Sequence, residues 1–222
     1  MNGRITRANI LAGFIGAAVI AAAAPAYAAR NGDAESYVQQ NATAALAALG
    51  DRVSPAQQRR ATFERLMAQF ADMPRIGAYV LGRYGAQLRA DASLRSDWQR
   101  TFQDYAIATY ETSFDRYSGG VLRVTGSVER IAGRDVIVTS QLLPRGAGAS
   151  TTVQWRVLRD GDRWRVIDIS VVDENRNQIW LAQVQQGEFL AVLDRNRGDI
   201  RALIADLRSQ TASMRQRAVA RS

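Results

Sequence analysis

Neither histidine nor cysteine occurs among the 222 residues of this sequence. Without cysteine the chain has no disulfide bond, no cysteine nucleophile and no site for the acylation of a lipoprotein. Without histidine it has no Ser-His-Asp triad, and without both residue types it lacks the usual ligands of zinc. The fold must therefore be held by its apolar core, for which an apolar content of 47% is sufficient.

Carboxylate side chains remain as candidates for acid–base chemistry. Glu111 and Asp115 are four residues apart, and Asp104 lies seven residues before Glu111, so a helix would place all three on one face. A glycosidase needs two carboxylates that face each other across a cleft. Charged helix residues usually face water, and Arg116 is adjacent, so the sequence favours a solvated face and predicts no catalytic residue.

The polar run from Asp173 to Asn177 is a candidate calcium loop. Such a loop has glycine at its sixth position, where the chain turns sharply, and glutamate at its twelfth position, where the side chain binds the ion. This sequence has Gln178 and Val184 at those positions. The sequence therefore predicts no metal site and no cofactor.

The amino-terminal segment has the features of a cleavable export signal. Arg4 and Arg7 make its start basic, and the apolar stretch that follows is shorter than the roughly 20 residues that span a bilayer. The motif AYA at residues 26–28 matches the small-x-small pattern of a cleavage site. We therefore expect a signal peptide over residues 1–28 and a periplasmic protein that starts at Ala29. An uncleaved membrane anchor is the alternative.

The formal net charge is +8, and every basic residue is arginine. Two interpretations are open. A basic exported protein can make transient contact with an anionic membrane surface, with lipid headgroups or with nucleic acid. Alternatively, arginine in place of lysine, together with many alanines, reflects the composition of the genome, and this is the interpretation that we favour. Nucleic acid is not expected as a partner, because the sequence has no long basic run and a periplasmic protein does not meet it.

The segment from Thr151 to Val172 predicts a β-hairpin. Val153, Trp155 and Val157 alternate with polar residues, which is the pattern of a strand with one buried face. The Asp-Gly pair at residues 160–161 supplies the turn, because glycine tolerates the positive φ that tight hairpin turns require.

Two more strands are predicted, over Val121–Glu129 and Asp135–Leu143, so the sheet would have four antiparallel strands. We expect an α+β domain over residues 29–210, with helices packed on a four-stranded antiparallel twisted sheet around an apolar pocket, and a flexible basic tail over residues 211–222. Apolar residues at helical spacing predict these helices: Asp33–Leu49, Pro55–Phe70, Ile76–Tyr84, Leu94–Tyr117, Ile179–Arg195 and Ile200–Leu207.

The longest predicted helix, Leu94–Tyr117, has an unusually aromatic face that also carries small residues. Two interpretations are open. The face is either an ordinary core face, which periodicity alone favours, or one wall of an apolar cavity with room for a ligand. In the second case the hairpin Thr151–Val172 would form the floor of the cavity.

Four sets of segments form a pattern that covers nearly all of the chain after the predicted signal. They are YVLGRY at residues 79–84; WQRTF at residues 98–102 with Tyr110, Phe114 and Tyr117; residues 153–169, which end in a W-x-V-x-D unit at Trp164, Val166 and Asp168; and residues 186–189 with 203–207. In their order and spacing, these segments resemble the MlaC family, also called toluene-tolerance auxiliary proteins, and the first is similar to the LGRYW-type motif of that family.

The resemblance implies a periplasmic lipid carrier without catalytic activity. Members of the family hold phospholipid acyl chains in a deep apolar pocket, and they exchange lipid with an inner-membrane ABC transporter complex and an outer-membrane complex. Burial of an acyl chain yields about 0.8 kcal/mol per CH₂, so a pocket suffices without a catalyst. The residues that we predict to line this lipid-binding pocket are Tyr79, Tyr84, Phe102, Tyr105, Ala106, Tyr110, Val124, Val138, Val153, Trp155, Val157, Trp164 and Val166.

One segment departs from the family pattern. The family usually has E-G-V/I-S-L after the last strand, whereas residues 173–178 are polar and make this region longer. The difference puts the surface that docks on the transporter in question, and it is compatible with the hopanoid-associated branch of the family, whose cargo would be a polycyclic lipid. An adaptor that binds other envelope proteins without cargo, and a hydrolase that uses carboxylates, are the remaining hypotheses.

Overall fold

The structure is a computed structural model that describes residues 29–51, 53–114, 119–144, 148–172 and 178–219. The predicted signal peptide and residues 173–177 of the divergent polar segment lie outside the described residues. In the part of the chain that is described, no helix is both long enough and apolar enough to cross a membrane.

The described strands form one antiparallel sheet in which each strand pairs with its successor in the chain. In the middle of the sheet, Val138 lies opposite Trp155, and Trp155 lies opposite Ile169 on the following strand. The strands are β1 (Val121–Ile131), β2 (Asp135–Leu143), β3 (Thr151–Asp160), β4 (Arg163–Val172) and β5 (Gln178–Trp180).

One face of the sheet is apolar and covered by helices, and we call it the inner face. Along β3, Val153, Trp155 and Val157 are buried on this face, whereas the polar residues between them are only half-buried. The turn between β3 and β4 places Gly161 at a φ of 57°, which favours glycine over any residue with a side chain. The predicted hairpin is therefore confirmed.

Helices precede and follow the sheet, as the apolar periodicity predicts, and the α+β class is confirmed. The helices are α1 (Gly32–Gly50), α2 (Ala56–Phe70), α3 (Met73–Val80), α4 (Gln87–Ala90), α5 (Ala92–Phe114), α6 (Leu181–Arg195) and α7 (Ile200–Val219), and a 3₁₀ helix over Gly82–Ala86 links α3 to α4.

The third predicted helix, Ile76–Tyr84, occurs in two parts. It starts earlier, because the Asp72 side chain accepts a hydrogen bond from the Arg75 N–H at 3.0 Å and caps the amino terminus of α3. It stops at Val80 because Gly82 has a φ of +51°, and the chain continues as the 3₁₀ helix.

The helix α1 is fastened along the free edge of β1. The Gln39 amide donates to the Leu122 carbonyl at 3.0 Å and accepts from the Val124 N–H at 2.9 Å, as a neighbouring strand would. The backbone N–H of Asn31 donates to Ser127 Oγ at 2.8 Å. These bonds satisfy backbone groups that an edge strand otherwise exposes to other chains.

The helix α7 lies parallel to α5 and forms an outer layer of the domain. Its buried residues include Leu203 and Leu207. Two ion pairs join the two helices, and a third joins α7 to Asp91, the residue just before α5. Because residue numbers rise together in both partners, the helices run in the same direction. The pairs are Arg201–Asp91 at 3.0 Å, Arg208–Asp97, and Arg215–Asp104 at 3.9 Å.

The number of strands is one more than the sequence predicts. Residues Ile179 and Trp180 were expected to start the helix that ends at Arg195, but they belong to β5 and pair with Val171 and Ser170. The helix starts two residues later, because Asp168 on β4 accepts a hydrogen bond from the Ala182 N–H at 3.0 Å. This cap is supplied from a neighbouring strand, so local sequence gave no sign of it.

The carboxyl-terminal segment also differs from the prediction of a flexible tail from residue 211. The helix α7 continues to Val219. Thr211 is only 5% exposed, and its hydroxyl donates to the Leu207 carbonyl at 2.8 Å, so a polar side chain is buried without an unsatisfied donor.

A charge at position 211 tests this continuation. The change Thr211→Asp would bury a carboxylate against α5, and we expect it to lower the free energy of unfolding by about 2–4 kcal/mol. The control Ser213→Asp adds the same charge to an exposed position on the same helix. Urea denaturation followed by circular dichroism measures both variants. Equal, small effects of the two substitutions would show that α7 is frayed beyond residue 210.

Candidate functional site

An apolar cavity lies between the inner face of the sheet and the helices α1, α2 and α5. Its volume is about 40 Å³, and it is partly open to solvent. Apart from the Tyr110 hydroxyl and the Trp155 indole N–H, its lining side chains carry no polar atom. The lining residues are Ala42, Ala45, Leu46 and Leu49 of α1, Phe63, Met67 and Phe70 of α2, Ala71, Tyr110 of α5, Trp155 of β3, and Val166 and Ile169 of β4.

Small side chains on the helices create the space. Ala42 and Ala45 lie on the buried stripe of α1, and Ala71 follows α2. A methyl group at these positions cannot reach across to the sheet, whereas a leucine would fill the gap. The cavity therefore results from small residues at positions whose spacing is that of any helix face buried in a core.

The floor of the cavity is fixed by Trp155. Its indole N–H donates to Ser140 Oγ on β2 at 2.8 Å, and the Ser140 hydroxyl in turn donates to the Val153 carbonyl at 3.3 Å. The Trp155 ring lies 5.5 Å from the Phe70 ring, centroid to centroid. The ring is thus held from both sides, and its apolar surface is presented to the cavity.

A second, more enclosed cavity of about 20 Å³ continues from the first toward α6. Tyr110 lies between the two cavities, and burial raises the pKa of its hydroxyl to about 12, so it stays neutral. The two cavities share Met67, Ala71, Tyr110, Val166 and Ile169, and the second also includes Met73, Ile76, Asp168, Ala182 and Gln185.

Asp168 of β4 is one of the residues around the second cavity, and its position follows from an irregularity in the sheet. A β-bulge shifts the register between Arg156 and Val157, so that Val157 faces Val166 but Arg156 faces Asp168. The extra residue turns Asp168 away from the inner-face row of Val166. Its Oδ1 accepts from the Ile169 N–H at 2.8 Å and from the Ala182 N–H at 3.0 Å. Burial raises the pKa of Asp168, and these hydrogen bonds and the charge of Arg156 oppose that rise.

The opposite face of the sheet, which we call the outer face, carries a groove of about 520 Å³. Its two arginines, Arg130 and Arg156, are linked through Asp135, which is 3% exposed. The Asp135 carboxylate pairs with Arg156 at 2.8 Å and with Arg130 at 3.5 Å. The groove is lined by Tyr79, Val128, Arg130, Ile137, Thr139, Gln154, Arg156, Asp168, Gln178, Trp180 and Gln183.

Of the predicted lining residues, Tyr110, Trp155 and Val166 line the apolar cavities. Tyr79 is 48% exposed and lies in the groove on the outer face. The others pack in or against the core outside the two cavity linings: Tyr84, Phe102, Tyr105, Ala106, Val124, Val138, Val153, Val157 and Trp164.

The aromatic face of α5 is divided between core and cavity. Phe102 and Tyr105 join Trp98 and Phe189 in a ring cluster, with the Trp98 and Phe102 rings stacked 5.5 Å apart. Two turns further along α5, Tyr110 reaches the cavities. This face therefore packs in the core at Phe102 and borders the two cavities at Tyr110.

Most of the lining was not predicted. The apolar stripe of α1 and the apolar face of α2 predict helices, but neither is among the residues predicted to line the pocket. The available signal was size: Ala42 and Ala45 are small residues on a buried stripe, where larger residues are usual. Ile169 was missed because the β-bulge changes which residues of β4 face inward.

The carboxylates considered for catalysis are engaged in separate contacts. Glu111 pairs with Arg60 of α2 at 3.4 Å, and Asp104 pairs with Arg215 of α7. Asp115 lies outside the described residues. Within the described ranges, no group of three or more acidic residues could hold a metal ion.

The chain is similar to a known protein family and to a solved structure. The sequence pattern of the family described as MlaC protein matches residues 39–209, which is more than half of the chain. Among solved structures, the chain is similar to the phospholipid-binding protein from Ralstonia solanacearum, solved in complex with a phospholipid. The identity is 22%, the TM-score is 0.68, and the match covers 82% of this chain and 98% of that one. At this identity the likeness establishes a shared fold. No curated protein matches the sequence.

The hydrogen bond beneath the cavity floor can be tested by a double-mutant cycle. The change Ser140→Ala leaves the buried Trp155 N–H without its acceptor, and we expect a loss of about 1–3 kcal/mol in the free energy of unfolding. In a Trp155→Phe background there is no donor to leave unpaired, so the same change should cost less. Urea denaturation of the four proteins gives the coupling. An equal cost in both backgrounds would contradict the assignment.

Proposed function

This chain belongs to the MlaC protein family, and from that membership we propose that it is a lipid carrier whose cargo binds in the apolar cavity. The observation that supports this most directly is the chemistry of the lining. Its side chains offer carbon surface almost throughout, with a single hydroxyl at Tyr110 and an indole N–H that is already paired. Such a lining suits an acyl chain and offers no group for catalysis.

Uptake of a whole acyl chain requires the cavity to widen. In the described part of the chain, the hydrogen bonds between α1 and β1 involve only α1 residues up to Gln39 and the residues just before the helix. The half of α1 that lines the cavity, from Ala42 to Leu49, packs through apolar contacts. Apolar contacts are not directional, so this half can move outward while the other half stays fastened to the sheet.

The cavity gains its affinity from burial. Each CH₂ of an acyl chain that leaves water contributes about 0.8 kcal/mol, so a handful of carbons suffices for measurable binding. The polar headgroup would remain at the open side of the cavity. Arg60 is our candidate for its partner, because it is one turn before the lining residue Phe63 on α2; it pairs with Glu111 at 3.4 Å. A guanidinium at this place suits a phosphate.

We further propose where the carrier acts. The predicted signal peptide of residues 1–28 would deliver it to the periplasm. There it would pass phospholipid, or a related membrane lipid, between an outer-membrane lipid-exchange complex and an inner-membrane ABC transporter complex. The resemblance of residues 79–84 and 153–169 to the family supports this step.

Lipid that co-purifies with the protein tests the proposal. The protein is isolated from its own periplasm and examined by native mass spectrometry and lipid extraction. We expect a stoichiometric lipid of the host membrane, because apolar burial resists loss into water. Protein that is free of lipid and takes none up from phospholipid vesicles would contradict the carrier function and leave an adaptor without cargo.

A substitution inside the cavity tests its location. The change Ala45→Phe fills the space between α1 and the sheet, and we expect uptake of a fluorescent phospholipid from vesicles to fall about tenfold or more, since excluding two CH₂ groups already removes about 1.6 kcal/mol of burial. The control Ala47→Phe places the same ring on the exposed side of α1. Thermal unfolding followed by circular dichroism confirms that both variants fold. Uptake by Ala45→Phe at the level of the control would place the cargo elsewhere.

A further inference from the structure

Two helix segments lie over the apolar cavity, residues 42–50 of α1 and residues 56–67 of α2, and we call them the flap. Within the described residues, every buried side chain of the flap lines the cavity. These side chains are Ala42, Ala45, Leu46, Phe63 and Met67. Side chains that border a void lack packing partners on one side, so they hold the flap less firmly than a filled core would.

Hydrogen bonds fasten the chain on both sides of the flap. Before it, the Gln39 amide is bonded to the backbone of β1 at 3.0 and 2.9 Å. After it, the Arg165 guanidinium of β4 donates to the carbonyls of Ala68 and Gln69 at 2.7 and 3.0 Å. Carbonyls at the carboxyl end of a helix have no partner within the helix, so Arg165 caps α2 and holds this end to the sheet. The flap is therefore hinged at two fixed points.

Between these points, a single ion pair connects the flap to another part of the fold, among the residues that the structure describes. Arg60 Nε of α2 lies 3.4 Å from Glu111 Oε1 of α5. The other hydrogen bonds of flap side chains stay within α1, or between α2 and the residues just before it. All remaining contact between the flap and the core is apolar and not directional.

Glu111 belongs to a helix that is held independently of the flap. Trp98 and Phe102 of the same helix are 0% and 1% exposed in the ring cluster, and stacked, buried rings of this kind resist displacement. Outward movement of the flap therefore separates Arg60 from Glu111. The two side chains are 32% and 23% exposed, and a pair so close to water contributes little energy. It would slow the opening of the flap without preventing it.

We propose that the flap is the gate through which the cargo enters and leaves, and that the ion pair Arg60–Glu111 is its latch. This inference rests on the proposed carrier function, because it assigns the moving part and the contact that controls the rate of exchange. A headgroup phosphate that pairs with Arg60 would compete with Glu111 for the same guanidinium, so that arrival of the lipid would release the latch.

The chain contains no cysteine, so a single engineered thiol can report on opening without any cargo. The thiol of Ala42→Cys would lie in the flap at a position that is 2% exposed, and iodoacetamide can reach it only when the flap opens. Ala106→Cys is the control thiol. Position 106 is also 2% exposed, but it lies on α5 and does not line the cavity.

Reversal of the two charges tests the latch in the Ala42→Cys background. Arg60→Glu and Glu111→Arg each place like charges side by side, and we expect the thiol to be labelled about three- to tenfold faster. The double reversal restores the pair and should return the rate to within about twofold of the starting protein. Arg65→Glu makes the same charge change at an exposed position of α2 and should leave the rate unchanged.

Lipid transfer should follow the same order. Release of a fluorescent phospholipid from the loaded protein to acceptor vesicles is measured by stopped-flow fluorescence. We expect Glu111→Arg, which leaves Arg60 in place, to accelerate release about three- to tenfold, and the double reversal to restore it. Thermal unfolding checks each variant. Where a reversal unfolds the domain, the neutral changes Arg60→Gln and Glu111→Gln make the same test.

The outcomes separate the latch from the carrier function. Labelling that ignores the charge reversals, or that the double reversal does not restore, overturns the latch. Acceleration at Ala106→Cys as well would show general loosening of the domain and would also overturn it. If lipid is transferred at rates that do not depend on the pair, the carrier function stands and the gate is wrong. If labelling follows the pair but no lipid is carried, the latch stands and the carrier function is wrong.

Discussion

The fastening of α1 to the edge of β1 is the constraint on which the rest of this structure depends. The Gln39 side chain takes the place of a neighbouring strand, with hydrogen bonds of 3.0 and 2.9 Å to the backbone of Leu122 and Val124. Because α1 is held at Gln39, the residues Ala42 and Ala45 further along the same helix stay over the inner face, although they are too small to fill the space. A cavity persists only where its walls are prevented from collapsing. In a chain without disulfides, backbone-directed hydrogen bonds provide that support.

The core is consequently divided into a filled half and an incompletely filled half. In the filled half, the rings of Trp98, Phe102 and Phe189 pack together, and the Trp98 indole donates to the Gly77 carbonyl at 3.0 Å. A Cβ at Gly77 would lie only 3.0 Å from the Phe102 ring, so a larger residue here would force the ring to shift. These closely packed rings do not line the cavity. Uptake of the proposed cargo would therefore disturb the other half of the core and leave this ring cluster packed.

How much of this arrangement the sequence predicts depends on how far apart in the chain the interacting residues lie. The strand alternation of Val153, Trp155 and Val157 depends on neighbours two residues apart, and the hairpin was predicted correctly. The apolar stripe of α1 also predicts a helix. A filled core and a cavity have the same periodicity, however, so the sequence does not show that this stripe lines a cavity. The buried end of α7 was missed because Thr211 satisfies its hydroxyl within its own helix, at the Leu207 carbonyl. The polarity of Thr211 therefore indicated an exposed position, whereas its side chain is buried.

Asp168 shows most clearly why the remaining features need three dimensions. By strict alternation, Trp164, Val166 and Asp168 share one face of β4, which would place a carboxylate in the apolar core. The β-bulge opposite Arg156 and Val157 adds a residue and turns Asp168 toward the boundary between the two faces of the sheet. There a single side chain contacts the second cavity, caps α6 through the Ala182 N–H, and lies opposite Arg156 on the neighbouring strand. The apolar interior and the polar exterior are thus joined at one residue, and its position is set by strand register, which no local motif encodes.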